Sequence, residues 1–223
     1  MSRIAMALSL ALLAAAGCKN QNEQATLFEQ EKNVSLKPIV AVVPIMDRTA
    51  NNIPWNLSDE LTSSIYRRLA SDERLYLVNM QKTLAVLKKL GPGNNPFGAD
   101  LAWIKRAFRE DEFVAFLELL EHEEIPVNAQ KASSLENCSA ELNTSIRVRV
   151  FDLRGKEAKI VLQELIHDTN FIPRQFTQSN FYQVAWGKDG YEISPLGLAH
   201  EQLTKEISSR IEDYICNAMS CNV

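Results

Sequence analysis

The folded part of the chain opens on a continuous apolar run, and apolar residues then recur every fourth position. Residues 38–45 read Pro-Ile-Val-Ala-Val-Val-Pro-Ile, a β-branched run bounded by prolines, which predicts a strand covered on both faces. Beyond the polar loop 47–52, a spacing of four predicts a helix whose apolar face carries Leu57, Leu61, Ile65 and Leu69. Asn56 or Ser58 can cap this helix, because both side chains accept hydrogen bonds from free backbone amides.

Shorter segments follow this helix. Residues 74–78 predict a second strand, and residues 81–90 predict a second helix that ends at Gly91-Pro92-Gly93. The loop from Gly91 to Gly98 is rich in glycine and proline, which interrupt helices, and Asp100 begins a third predicted helix.

The second half of the chain is dominated by alternation. Residues 113–121 predict a strand, and the polar stretch from Pro126 to Ser139 predicts a loop. A period of two then predicts a long antiparallel hairpin that turns at residues 154–156, with its core face formed by Leu142, Thr144, Ile146, Val148, Val150, Ile160, Leu162 and Ile166. Ser194 and Pro195 open a last helix with apolar positions at Leu203, Ile207, Ile211 and Ile215.

Together these elements predict an α/β fold, an α+β sandwich in which helices pack on a mixed sheet that contains the long hairpin. The predicted order is β-α-β-α-α-β-β-β-α.

The first residues have a different pattern. Arg3 precedes a run of small and apolar residues, 4–16, that is too short for a membrane-spanning helix of about 20 residues but fits a secretory signal. Ala15-Ala16-Gly17-Cys18 resembles the bacterial lipobox, although Ala15 stands where Leu is commoner. This resemblance implies cleavage before Cys18, a lipid on Cys18 and, because Lys19 is not Asp, an outer-membrane location. The alternative is an ordinary cleaved signal with a chance cysteine.

Three segments follow from this interpretation. Residues 1–17 are the predicted lipoprotein signal peptide, 18–37 the lipidated cysteine and a polar tether, and 38–223 a single periplasmic domain. The net charge of −4 provides neither the basic face that nucleic acid requires nor a polybasic run for membrane adhesion. The lipid on Cys18 is therefore the expected contact with the membrane.

Three cysteines remain after Cys18. Cys138, Cys216 and Cys221 are an odd number in a compartment that permits disulfides, so an intramolecular bridge with one free thiol and an intermolecular bridge both stay open. No metal site is expected, because no C-x-x-C pair occurs. His122 lies in an acidic stretch, which is more typical of a solvated strand end than of a group of metal ligands.

Candidate chemistry is sparse. The chain has no G-x-S-x-G, H-E-x-x-H or phosphate-binding glycine motif, so neither a cofactor nor catalysis is expected. Residues 47–49, Asp-Arg-Thr, follow a strand, but they are more typical of an exposed ion pair or a cap than of a catalytic site. Arg147 and Arg149 are predicted to lie on the solvent-exposed face of a sheet. Aromatic residues on a polar loop suit either a protein interface or packing back over the sheet; these are Phe176, Phe181, Tyr182 and Trp186.

The order of motifs adds a family resemblance. The strand 39–45, the segment Leu-Ser-Asp-Glu-Leu-Thr at 57–62 and the strand 74–78 resemble the amino-terminal domain of TolB, the LpoB-type lipoprotein activators of penicillin-binding proteins and the curli secretion channel CsgG. Residues 148–156 are similar to the hairpin turn of those proteins, and residues 194–199 to the start of their last helix. The whole chain also resembles an uncharacterised chlamydial lipoprotein.

The resemblance implies a non-catalytic lipoprotein that acts as a periplasmic adaptor or regulator and binds an envelope protein. The alternatives are a structural envelope component that forms homo-oligomers through disulfides, or a subunit of a CsgG-like channel. A channel is disfavoured because segment 169–192 breaks alternation at Pro173, Asn180 and Gly187.

Overall fold

A single mixed sheet organises the molecule. The computed structural model describes residues 37–91, 93–127, 139–177 and 184–220. The strands are β1 (Ile39–Val42), β2 (Met46–Asp47), β3 (Tyr76–Leu77), β4 (Phe113–Val127), β5 (Ser139–Asp152) and β6 (Lys159–Ile172). The helices are α1 (Leu57–Ser71), α2 (Met80–Leu87), α3 (Ala102–Ala107) and α4 (Pro195–Ser220), with a short 3₁₀ helix at Arg174–Phe176.

The sheet combines a parallel and an antiparallel half. Its order is β3-β1-β4-β5-β6, and β2 pairs with β4 next to β1. β1 is parallel to both β3 and β4, whereas β4, β5 and β6 form two long antiparallel pairs. The predicted fold class, the order of elements and the long hairpin are confirmed, and β2 is added to them.

One face of the sheet is covered by α1 and α4. The four apolar residues predicted along α1 and the four predicted along α4 are all buried, and they meet Phe113, Leu117 and Val148 in one cluster. Asn56 caps α1 by accepting a hydrogen bond from the amide of Asp59. A repeat of four places side chains on one helix face, so both helices bury that face against the sheet.

The opposite face is covered over only part of its area. α2, α3 and the loop between them cover an aromatic cluster centred on Phe116, whose ring makes edge-to-face contacts with Trp103, Phe108 and Phe151. Further along this face the strands carry polar contacts instead, such as Arg147 to Glu118. β6 leaves Leu165 and Phe171 more than half exposed.

A third cluster joins the far part of β5 and β6 to the start of α4. Leu142 and Ile172 pack there against Tyr191, Leu196 and neighbouring residues. Gly197 lies so close to the backbone carbonyl of Tyr191 that a Cβ at this position would overlap it. Only glycine therefore allows the loop to pack directly on α4.

Several predicted boundaries differ from the structure. β3 covers Tyr76–Leu77 rather than residues 74–78, and α3 begins at Ala102 rather than at Asp100. β4 continues to Val127, beyond the predicted end at residue 121, because it pairs with β5 as far as Ser139. α2 begins at Met80 and ends at Leu87 rather than at residue 90. The described residues from Lys37 onward form one compact unit. Among the described residues, no helix is long and apolar enough to cross a membrane.

Candidate functional site: a buried histidine cluster beside an open groove

A buried carboxylate lies at the start of α1. Glu60, in the first turn, is 2% exposed, and its Oε1 lies 2.7 Å from Nδ1 of His200 on α4. The Tyr191 hydroxyl donates to the same oxygen, and Trp55 Nε1 donates to Oε2 at 2.7 Å. The carboxylate therefore has partners on both oxygens, as a buried charge requires.

A second histidine extends this cluster across to the sheet. His122 on β4 is 8% exposed, and its Nε2 lies 2.9 Å from Nε2 of His200. Because the ionised carboxylate of Glu60 can only accept, Nδ1 of His200 carries the proton of that hydrogen bond. The two Nε2 atoms share one hydrogen bond, in which one ring donates and the other accepts. The predicted solvated position of His122 is wrong, because its ring packs against His200 of α4.

Burial and charge set the protonation of these groups. Burial raises the pKa of Glu60, but the charge and hydrogen bond of His200 and the hydrogen bonds of Tyr191 and Trp55 outweigh it, so its pKa falls below the usual value. Burial, reinforced by His200, lowers the pKa of His122 to about 3. Burial and the neighbouring Glu60 raise the pKa of Tyr191, which stays a donor. The cluster is thus built around an ionised Glu60 and a neutral His122.

The same geometry limits what the cluster can do chemically. A carboxylate that orients a histidine is part of the arrangement that activates a serine or cysteine nucleophile. Here Nε2 of His200, the atom that would take the nucleophile's proton, faces His122. Within residues 37–91, 93–127, 139–177 and 184–220, no group of three or more His, Cys, Asp or Glu side chains could hold a metal ion.

The cluster lies between two surface depressions. Glu60 and His200 line an open groove of about 1010 Å³, which is bounded by α1, the loop 186–193 and the start of α4. His122 lines a smaller depression of about 460 Å³ beside the loop 48–53. The groove, which we call the α1–α4 groove, also contains Trp186 and Ile193.

The predicted aromatic interface is divided by the structure. Trp186 is 38% exposed and lines the α1–α4 groove. Phe176 is half-buried and packs against the third hydrophobic cluster, the alternative that its sequence context left open. Phe181 and Tyr182 lie outside the described residues.

Of the cysteines that the sequence singles out, the structure describes Cys216. Cys216, on the last turns of α4, is a half-buried free thiol. Burial is the largest cause that raises its pKa, which lowers its thiolate fraction and its reactivity in disulfide exchange. Cys18, Cys138 and Cys221 lie outside the described residues.

Two further sequence candidates are structural. Asp47 accepts hydrogen bonds from the amide and hydroxyl of Thr49, and Arg48 pairs with Glu118 at 2.9 Å, as expected for a cap and an ion pair. Arg149 is 9% exposed and donates to the carbonyl of Pro96 at 2.8 Å. The prediction that Arg149 lies on a solvent-exposed face is therefore wrong, because the loop between α2 and α3 folds over it.

Sequence reasoning missed the cluster itself. Its members come from four separate parts of the chain, and Glu60 and Tyr191 each fit an ordinary local pattern. An acidic residue in a first helical turn is explained by the helix dipole alone. The one available signal was His200 on the apolar side of the last helix, three residues before Leu203.

Fold and cluster define a mixed α/β domain with helices on both sheet faces and a buried Glu–His–His network. A family model matches residues 26–219, and the chain therefore belongs to the family of unknown function DUF7499. No curated protein sequence matches the chain.

Solved structures provide further likenesses. The chain is similar to the hypothetical protein CT253 from Chlamydia trachomatis, with 27% identity, a TM-score of 0.62 and coverage of 81% of this chain and 99% of that one. It is also similar to lipoprotein GNA1162 from Neisseria meningitidis, with 14% identity, a TM-score of 0.41 and coverage of 81% and 99%. The LpoB C-terminal domain from Salmonella enterica has 12% identity, a TM-score of 0.38 and coverage of 64% and 90%.

The likeness to CT253 confirms the predicted resemblance to a chlamydial protein. The specific likeness to TolB and CsgG stays a prediction.

Proposed function

We propose that this protein is a non-catalytic outer-membrane lipoprotein whose periplasmic domain binds a segment of another envelope protein in the α1–α4 groove. The observation that carries the proposal is the groove itself, an open depression of about 1010 Å³ that contains exposed apolar side chains. Ile193 is 80% exposed and Trp186 is 38% exposed, and both line it. Leu198, at the start of α4, is 53% exposed.

Exposed large apolar side chains around a concave surface are typical of protein-binding sites. Tryptophan in particular is enriched among the residues that contribute most to binding energy. The charged residues of the groove are partly engaged: Glu60 with His200, and Glu201 with Arg68. The partner segment is therefore expected to bind mainly through apolar anchors at Trp186 and Ile193, with polar contacts at the rim.

A non-catalytic role is supported by the hydrogen bonds of the buried cluster. His200 makes hydrogen bonds at both ring nitrogens, one to Glu60 and one to His122. Both contacts hold α1, α4 and β4 together under the groove. The cluster is accordingly proposed to stabilise the floor of the binding site.

Site-specific crosslinking tests the groove. A photoreactive amino acid would replace Ile193 or Trp186 in the full chain, in cells that normally make the protein, and Lys156 would carry it in a matched control. Lys156 is exposed in the hairpin turn. We expect the same partner protein to be captured at both groove positions and not at Lys156. Identical products at all three positions, or none, would contradict the proposal.

The lipid anchor is tested separately. Cells fed a labelled fatty acid should label the full chain, and Cys18→Ser should abolish the label. The predicted disulfide-joined structural component is a second proposal, for which non-reducing gels would show multimers that collapse with reductant. The burial of Cys216 disfavours that thiol as the linking residue.

A further inference from the structure

The positive charge of the chain is unevenly distributed. Residues 80–109 contain six cations and one acid, so this segment carries +5 although the whole chain carries −4. The cations are Lys82, Lys88, Lys89, Lys105, Arg106 and Arg109. They are too scattered along the sequence to form a polybasic run. The packing of α2 against α3 brings most of them together.

Four of these cations surround one depression. Lys82, Lys89, Arg106 and Arg109 line a cavity of about 430 Å³ between α2 and the end of α3. All four are exposed. Among the described residues, Lys82 pairs with Glu110 at 2.9 Å, whereas no carboxylate pairs with the other three. Glu110 and the half-buried Asp111 also line the cavity, so its four cations and two acids leave a net local charge of +2.

The cavity has an apolar side as well. Val86, Leu90 and Ala107 line it and pack against the aromatic cluster beneath. A ring of cations around an apolar surface is suited to an anionic amphiphile, because phosphate oxygens can reach the rim while carbon atoms contact the apolar surface.

The place of this cavity in the fold also agrees with a membrane contact. Asp111 is followed by Glu112, whose side chain accepts from the amide of Ile39 at 2.8 Å. Ile39 is the first residue of β1, and residues 18–37 connect that point to Cys18. The cavity therefore lies beside the point where the described domain begins.

We infer that the cavity between α2 and α3, together with its four cations, binds the phosphate-bearing headgroups of anionic phospholipids and so holds the domain against the membrane surface. This inference rests on the proposed envelope location, but its chemistry does not depend on the lipid at Cys18. A docked domain would keep the α1–α4 groove in a defined orientation, whereas a free tether would not.

Vesicle binding tests the inference with the unlipidated chain, residues 19–223, which retains the whole compact unit 37–223. Sedimentation would compare vesicles of phosphatidylcholine with vesicles containing about one third phosphatidylglycerol. We expect binding only to the second kind, weakening as salt rises. Each basic residue near an anionic surface contributes about 1 kcal/mol. The triple variant Lys89→Glu, Arg106→Glu, Arg109→Glu should therefore lose at least about 150-fold in affinity.

The matched control reverses three other exposed cations, Lys156, Lys159 and Lys205, which changes the net charge equally. It should bind within about threefold of the unaltered chain, since its cations lie outside the cavity. Equal loss in both variants, or no binding to phosphatidylglycerol, would overturn the inference. Displacement by inorganic phosphate at constant ionic strength would also overturn it, because the site would then recognise free phosphate. None of these results bears on crosslinking in the groove.

Discussion

The acid sensitivity of the domain is predicted to depend on one buried histidine. His122 has a pKa lowered to about 3 by burial and by His200, against an ordinary value of 6.5. Between those two values the unfolded chain binds a proton on His122 and the folded chain does not. The free energy of unfolding therefore falls as the pH drops from 6.5 towards 3, and it is fully restored above 6.5.

The size of this effect follows from the shift. Each pH unit below 6.5 removes about 1.4 kcal/mol for one proton, so about 2.7 kcal/mol is lost between pH 6.5 and 4.5. A domain with a total stability of about 5–15 kcal/mol would lose a measurable part of it. His122→Gln keeps a polar partner for Nε2 of His200 but cannot take up a proton in this range.

Urea unfolding at pH 7 and pH 4.5 measures the difference. We expect the unaltered chain to lose about 2.7 kcal/mol more than His122→Gln over this interval. His167→Gln is the matched control, because it makes the same substitution at a histidine whose side chain is 52% exposed on β6. If His122→Gln kept the full pH dependence, the buried neutral state of His122 would be refuted.

Three other substitutions test the packing. Gly197→Ala should destabilise the domain by several kcal/mol in thermal unfolding, because the added Cβ would overlap a loop carbonyl. Gly93→Ala is the control and should be near neutral, because a Cβ added there has no atom within 4 Å. Phe116→Ala should cost about 3–5 kcal/mol in urea unfolding, against less than about 0.5 kcal/mol for the exposed Leu165→Ala. Arg149→Met should cost about 1–3 kcal/mol and speed amide exchange in the loop 91–101, because two hydrogen bonds to loop carbonyls are lost; unchanged exchange would contradict this.

The elements predicted from the sequence are those defined by local periodicity. The repeats of four in α1 and α4 and the alternation in β5 and β6 each report burial on one side of a single segment, and the structure buries those sides except at Ile160. Ile160, predicted in the core, is 37% exposed, because the β5–β6 pairing shifts register between Val150 and Phe151. Element ends were less predictable. β4 extends past the predicted loop because β5 pairs with it residue by residue, and a pairing partner is not visible in the strand's own sequence.

The candidate sites depend on contacts between distant positions. His122 and His200 are 78 residues apart, and Glu60 and His200 are 140 apart, yet they form one hydrogen-bonded network. Arg149 is buried only because a loop more than 50 residues away folds over it. The cations around the cavity likewise come from two helices with a long loop between them.

The sequence alone therefore determined which faces of the helices and strands are apolar and that the sheet is mixed. Those properties follow from side-chain spacing and short-range order. The tertiary structure decided which polar groups are buried together and which cations share a surface. Burial and Coulomb interactions depend on distances in space, and these exist only once the helices have packed on the sheet.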